Sequence, residues 1–347
     1  MTGLPPSPEE VAAFVGDPDP KAYEKLVDRL LASPRYGERM SRAWLDLVRY
    51  ADSDGYRADD FRPTAWRYRD YVIRSYNANK PYDRFVQEQL AGDELFPGDP
   101  EALTGTGYLR HWIYEWNQRD ARGQWDAILN DLTDTTGDVF LGAGMQCARC
   151  HDHKFDPILQ KDYFALRAFF ANIKPVDDRI ALPPAEEKAY REKLAAWERK
   201  TADIRAAIAK IEAPHRAAAQ KEAVERFQDE LQDIYRKPTA QREALEEQLV
   251  DLIERQVVYE WDRLDRRIKG EDRTKLADLR KKLEAFEGDK PAEPPFILSI
   301  RETGHPAPAV KIPKKNTLVQ PAYLSVLSQE TPAKPANPAK PASKDKR

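Results

Sequence analysis

The two cysteines of the chain fall in one run, Cys147-Ala148-Arg149-Cys150-His151. Cys-x-x-Cys-His is the spacing at which haem c is attached. Two thiols about one helical turn apart add across the two vinyl groups of one porphyrin edge. The next histidine then reaches the iron from the same side. Both cysteines standing at this spacing, followed at once by one of only five histidines, makes the run a specific signal rather than a scatter. Three other chemistries use the same residues. Zinc would draw on Cys147, Cys150, His151 and His153, although four tetrahedral ligands within seven residues are cramped. A redox dithiol would use the two cysteines alone. The plainest reading is a disulfide or a pair of buried thiols.

With haem bound, the sixth iron position needs a residue from elsewhere, because Met145 and His153 lie too close to the attachment run to reach the far face. His111, in an aromatic setting between Tyr108 and Trp112, is the candidate distal ligand, with Met40 behind it. A packed core histidine is the competing account of His111. A second constellation is Asp52-Ser53-Asp54-Gly55 followed by Asp59 and Asp60, which opens like a calcium loop. The glutamate that such a loop needs at its twelfth position is replaced by Pro63, so an acidic turn competes with a second cation site on Asp52, Asp54 and His153. Arg67 and Arg69 alternate with Trp66, Tyr68 and Tyr71, a pattern that suits an anion such as a haem propionate or else ordinary helix packing. Glu115, Asp120 and Asp126 stand near three tryptophans, where a glycosidase would need two carboxylates facing across a cleft.

The elements that must carry these groups read as mainly α. Ser7, Asp19 and Ser33 each precede a proline, the pattern of an N-cap followed by proline in the first turn. Apolar residues then recur at helical spacing: Tyr23, Leu26, Val27 and Leu30; Met40, Trp44, Leu47 and Val48; Trp125, Ile128, Leu129 and Leu132; Tyr163, Leu166 and Phe170. Residues 1–180 form a helical globular module with the cysteine motif. Residues 185–288 read as an antiparallel coiled-coil arm, with a seam from Tyr190 to Ile211 that Pro214 stops and a second seam over Leu276, Leu279 and Leu283. Such an arm would contact another protein or domain. Residues 289–330 hold short extended or strand segments at 296–300 and 323–327. Residues 331–347 are a Lys/Pro/Ala tail expected to be disordered.

Composition closes off some classes. Fifty-six lysines and arginines against 59 acidic residues give a net charge of −3, which argues against nucleic acid as a partner held by bulk positive charge. No apolar run approaches the roughly 20 residues of a membrane span, and no signal peptide opens the chain. A third of the residues are charged, concentrated in the arm and tail.

Segments 2–11, 23–39, 44–46, 49–53, 68–72, 79–85 and 88–93, with Asn130-Asp131-Leu132-Thr133-Asp134-Thr135-Thr136 and 147–157, carry a family resemblance. The chain resembles the planctomycete cytochrome-c-associated domain of unknown function, family 1549, also termed the second planctomycete cytochrome-like domain. The resemblance is dense over residues 2–175 and looser over the arm. It implies haem c attachment at Cys147, Cys150 and His151 in an exported, periplasmic or extracellular protein. It also implies a cytochrome-like domain upstream, another domain downstream, and redox partners or sister domains in the same system. Met1 stands where the family's opening run has leucine, and the Lys/Pro/Ala tail stands where the downstream domain would begin. A fragment is therefore expected, or a cytoplasmic chain if the start is genuine. Two functions stand side by side: a haem c redox or electron-transfer module, and a non-haem, zinc-, calcium- or thiol-stabilised domain of an extracellular degradative or binding protein. No motif selects a reaction, so whether the chain is an enzyme is left open at this point.

Overall fold

The computed structural model describes residues 1–55, 59–115 and 119–327. The expected disordered tail at 331–347, and Trp116, lie outside the described residues. The architecture is mainly α, with thirteen helices among the described residues and two small two-stranded sheets. In chain order the helices are α1 Pro8–Val15, α2 Ala22–Leu31, α3 Pro34–Leu47, α4 Trp66–Asn77, α5 Tyr82–Leu95, α6 Pro100–Gly105, α7 Ala121–Thr136 and α8 Gln160–Arg167. The second half holds α9 Pro184–Lys200, α10 Ala202–Val224, α11 Asp229–Arg236, α12 Ala244–Trp261 and α13 Gly270–Glu284.

Local chemistry accounts for the starts. Ser7 accepts from the Glu10 amide while the Glu10 carboxylate takes the Ser7 amide, a reciprocal capping box. Ser33 caps α3 by accepting from the Arg35 amide. Asp19 does not cap α2 directly. Its carboxylate accepts from the Lys21 amide, and the helix begins one residue beyond, at Ala22.

The main core gathers Trp44, Tyr68, Tyr71, Trp112, Trp125 and Leu132 from α3, α4, α7 and the loop before α7. Each large ring removed from water contributes on the order of 2–3 kcal/mol before the entropy of ordering is subtracted. The same core takes in Phe227, Leu231, Leu249, Ile253 and Val257. It therefore runs on past residue 185, through α11 and α12, and only part of the expected arm stands away from the module. That part is a helical hairpin: α13 returns antiparallel along α9 and α10, with the Trp197 indole donating to the Phe286 carbonyl at 3.0 Å and Arg280 reaching Glu212 at 3.3 Å. Pro214 does not stop the seam; α10 runs through it. The carbonyl that Pro214 leaves without a donor belongs to Lys210, an exposed residue, so water can satisfy it.

Two further differences concern strands. Phe296–Glu302 is a strand as the sequence indicates, and it pairs antiparallel with Ile173–Ile180. The Ile173–Ile180 strand carries one proline, Pro175, and four charged residues instead of period-two alternation. Residues 323–327 form a turn, not a strand, and dock Leu324 into a second core with Met145, Ala148, Ile158, Tyr163, Phe164 and Ile312. That second core, built on α8 and the 310–324 segment, is what holds the cysteine run.

Candidate functional site

The cysteine run is a single tight turn. Met145–Arg149 is a 3₁₀ helix, with Cys150 capping it through an amide bond to the Cys147 carbonyl at 3.4 Å. At three residues per turn, positions three apart share a face. Met145 and Ala148 take the inner face and are fully buried in the second core. Cys147 and Cys150 take the outer face, both exposed and both free thiols. The side chain of Met145 also fills the space over Gly137: a Cβ there would come within 2.8 Å of the Met145 Sδ.

The turn is pinned on its C-terminal side. Asp152 Oδ1 accepts from the Gln160 amide at 2.8 Å, and Gln160 Nε2 donates back to the Arg149 carbonyl at 3.1 Å. Asp162 accepts from the Leu159 amide and from the Ser325 amide and hydroxyl. The loop between the second cysteine and α8 is thereby fixed by side chains at both ends.

His151 is exposed, and its Nδ1 lies 2.7 Å from the Asp152 carbonyl. A carbonyl only accepts, so Nδ1 carries the proton and Nε2 presents a lone pair, the arrangement of a metal-ready histidine. His153 is the converse. Its Nδ1 accepts from the amides of Asp156 at 2.9 Å and Phe155 at 3.3 Å. That nitrogen holds the loop. The Asp156 carboxylate lies 3.2 Å from it, and a protonated ring would exchange the two amide bonds for that ion pair.

One face of α7, continued by the π-helical turn Gly137–Leu141, runs beside the turn. Asp126, Asn130, Asp134 and Asp138 recur every four residues, and each meets a partner from the facing segments: Arg167, Tyr163, Arg149 and Gln146 respectively. Burial lifts the Asp134 carboxyl above the usual carboxylate range, against the pull of Tyr163 and Arg149. Burial, with Asp134 adding to it, likewise raises the Tyr163 hydroxyl. Of these four side chains, Asn130 and Asp134 lie in the segment that carries the resemblance without a role of their own, and Asp126 is one of the carboxylates near the tryptophans. The four-residue period of acids and amide was the signal available.

The other candidates lie in separate settings. His111 is buried, its Nδ1 3.0 Å from the Val48 carbonyl and its ring edge-on to Tyr50, Tyr68 and Tyr108. Burial, reinforced by Arg49, lowers its pKa to about 3. Asp52 accepts from the Tyr50 hydroxyl. Asp54 is buried between two guanidinium groups, Arg62 at 2.6 Å and Arg255 at 2.9 Å. Arg62 also donates to the Trp112 carbonyl at 2.6 Å, and Arg255 covers the Tyr114 ring. Asp52, Asp54 and His153 do not converge, and among the described residues no three His, Cys, Asp or Glu side chains form a metal-binding group. Arg69 pairs with its neighbour Asp70 and Arg67 lies over the Trp66 ring. Asp120 caps α7 through the Gly123 amide, and Asp126 is held by Arg167. No helix among the described residues is long and apolar enough to cross a membrane.

No curated protein and no solved structure matches the chain. The sequence profile of PSCyt2, described as a protein of unknown function (DUF1549), matches residues 1–175, from the capping box of α1 through the cysteine turn and α8 into the first strand. The chain therefore belongs to the PSCyt2 family.

Proposed function

We propose that the Met145–Arg149 turn and the two residues after it are a covalent haem c attachment site in a redox or electron-transfer module of an exported protein. The observation that carries this reading is the pairing of two free thiols on the outer face of one turn with an adjacent imidazole whose Nε2 lone pair is exposed. Cys147 and Cys150 would each form a thioether: sulfur bonds to one vinyl carbon and the thiol hydrogen goes to the other. His151 Nε2 would be the iron ligand, oriented by Nδ1–H on the Asp152 carbonyl. Bound haem supplies one-electron exchange at its iron. The protein's part is to fix the thiol pair through Met145 and Ala148 and to hold the histidine in one tautomer.

The donor set fits haem better than a zinc site drawn from the same run. His153 has its Nδ1 committed to two backbone amides. A four-ligand zinc site on this loop would have to turn that ring or break those bonds.

Periplasmic expression together with haem c maturation machinery tests the reading. A Soret band that persists after denaturation, lost in the Cys147→Ser/Cys150→Ser double variant, is the expected result. Absence of covalent haem, with stoichiometric zinc or a Cys147–Cys150 disulfide in its place, supports the non-haem domain and overturns the proposal.

A further inference from the structure

A cleft of about 230 Å³ opens between the start of α3, the end of α4 and the start of α5. Tyr36, Tyr76 and Tyr82, one from each helix, line it. All three reach the surface: Tyr82 is 59% exposed, and Tyr36 and Tyr76 are partly buried. Among the described residues none of their hydroxyls is hydrogen-bonded, and none is shut away from solvent. Burial raises the Tyr76 hydroxyl and both Tyr36 and Tyr82 add to it, so the three phenols stand within one another's field.

The frame around them is rigid. Asn77 locks α3 to α4, its Oδ1 accepting from the Gly37 amide at 2.9 Å and its Nδ2 donating to the Pro34 carbonyl at 3.1 Å. A Cβ at Gly37 would come within 2.6 Å of Asn77 and of the Ile73 carbonyl, so glycine is what allows this approach. The turn between α4 and α5 is held by the Lys80 amide on the Ser75 carbonyl at 2.9 Å. Tyr76 packs on the buried Phe85 ring, with centroids 6.1 Å apart. A ligand that enters such a preformed aromatic cleft loses little to ordering it.

Charge narrows the ligand. Lys80 is the one charged side chain in the lining, and its ammonium is committed to the buried Glu88 carboxylate and lies 4.4 Å over the Tyr71 ring. An anion finds no free cation there, and a cation finds no carboxylate. What remains is tyrosine faces, phenol hydroxyls that donate and accept, and the amide of exposed Asn79, whose backbone sits at φ 45. A sugar ring has the matching surface, an apolar C–H face bordered by hydroxyls.

We propose that this cleft binds one pyranose ring of a neutral saccharide. The C–H face of the sugar lies on the Tyr82 ring, and its hydroxyls bond the Tyr36 and Tyr76 phenols and the Asn79 amide. The volume equals about eight waters of liquid, which suits a single ring. A proline-rich peptide also favours aromatic clefts, but it spreads over a groove several residues long. This site stands independently of the haem proposal, since none of its lining residues belongs to the cysteine turn or to the second core.

Saturation-transfer NMR on the full chain, with the aromatic protons irradiated, tests the proposal. The probes are the methyl β-pyranosides of glucose, galactose and xylose, with glycerol as the control that has hydroxyls but no ring face. Transfer to the ring protons of at least one glycoside, and none to glycerol, is expected. Tyr82→Ala removes an exposed ring and is expected to weaken that binding about tenfold, whereas Tyr82→Phe keeps the face and stays within about threefold of the wild type. Asn79→Gly, which tolerates the left-handed backbone and removes the amide, is expected to weaken binding by about threefold or more and serves if Tyr82→Ala folds poorly. No transfer to any of the three glycosides, or binding unchanged in both Tyr82→Ala and Asn79→Gly, overturns the proposal. Transfer to a proline-rich peptide and to no glycoside assigns the cleft to a peptide and overturns it as well.

Discussion

His151 and His153, separated by one residue, hold their imidazoles in opposite tautomers. His151 gives its Nδ1 proton to the Asp152 carbonyl, whereas His153 receives two backbone amides at the same ring atom. Sequence position alone does not distinguish two histidines in one short acidic loop. The backbone around them does, because a carbonyl can only accept and an amide N–H can only donate.

This assignment is measurable without any bound group. Long-range ¹H–¹⁵N spectra of the imidazoles at neutral pH should show the Nδ1–H form for His151 and the Nε2–H form for His153. The energetic counterpart is an asymmetry in substitution. His153→Ala leaves two loop amides without their acceptor and should cost about 1–3 kcal/mol. His151→Ala, at an exposed ring, should cost under about 1 kcal/mol. Denaturant unfolding of the two variants gives the comparison; equal losses would remove the structural role given to His153.

The outer placement of the thiols has its own consequence. In the chain without haem, both Cys147 and Cys150 should react with a disulfide reagent in the native state at rates near those of the unfolded protein. Met145→Ala should slacken the turn that presents them, because it empties a fully buried site, with a cost of about 2–5 kcal/mol. Slow or single-site labelling of the native protein would show that the turn faces inward.

His111 makes the fold acid-sensitive. Its pKa is about 3 in the folded state and near 6.5 when unfolded. Between those values the unfolded chain binds one more proton than the folded chain. Stability is therefore full above pH 6.5 and falls as the pH drops toward 3, by up to about 1.4 kcal/mol per pH unit from this residue. A His111→Gln variant should show a shallower acid slope in chemical denaturation between pH 6.5 and 4. An unchanged slope would mean that His111 ionises freely in the folded protein.

Asp54 is the buried acid between Arg62 and Arg255, and removing its charge leaves the buried Arg62 guanidinium with backbone carbonyls alone, while Arg255 keeps Asp177 at 3.3 Å. Asp54→Asn should therefore cost about 3–5 kcal/mol, the usual penalty for breaking a buried pair from one side. Asp52→Asn, on the exposed neighbour, should cost under about 1 kcal/mol. Thermal unfolding distinguishes these outcomes. Near-equal shifts in the two variants, or a large stabilisation of the wild type by calcium, would restore the cation-loop account of this turn.

Much of the helical frame was readable from local signals. Ser7 and Ser33 cap where a hydroxyl before proline says they should, and the Trp125–Leu132 stripe does face the main core. What escaped depends on distant partners. Ile173–Ile180 is a strand because Phe296–Glu302 supplies its ladder, not because its own residues alternate. α12 reads as one more arm helix until Leu249, Ile253 and Val257 are seen inside the main core. At the site, the spacing of Cys147, Cys150 and His151 was legible, whereas the separation of His151 from His153 was not. That separation comes from carbonyl and amide directions that no residue pattern encodes. Likewise, Asp54 reads in sequence as part of an acidic turn or of a cation loop, and is an ion-pair centre in the fold because Arg255 arrives from 201 residues away.

The most direct measurement is the intact mass of the denatured protein after periplasmic co-expression with haem c maturation machinery, for the wild type and for Cys147→Ser/Cys150→Ser. The haem account predicts one covalent haem per wild-type chain and none in the double variant. A wild-type chain carrying no haem mass, purified folded from cells that load a control cytochrome, would contradict it.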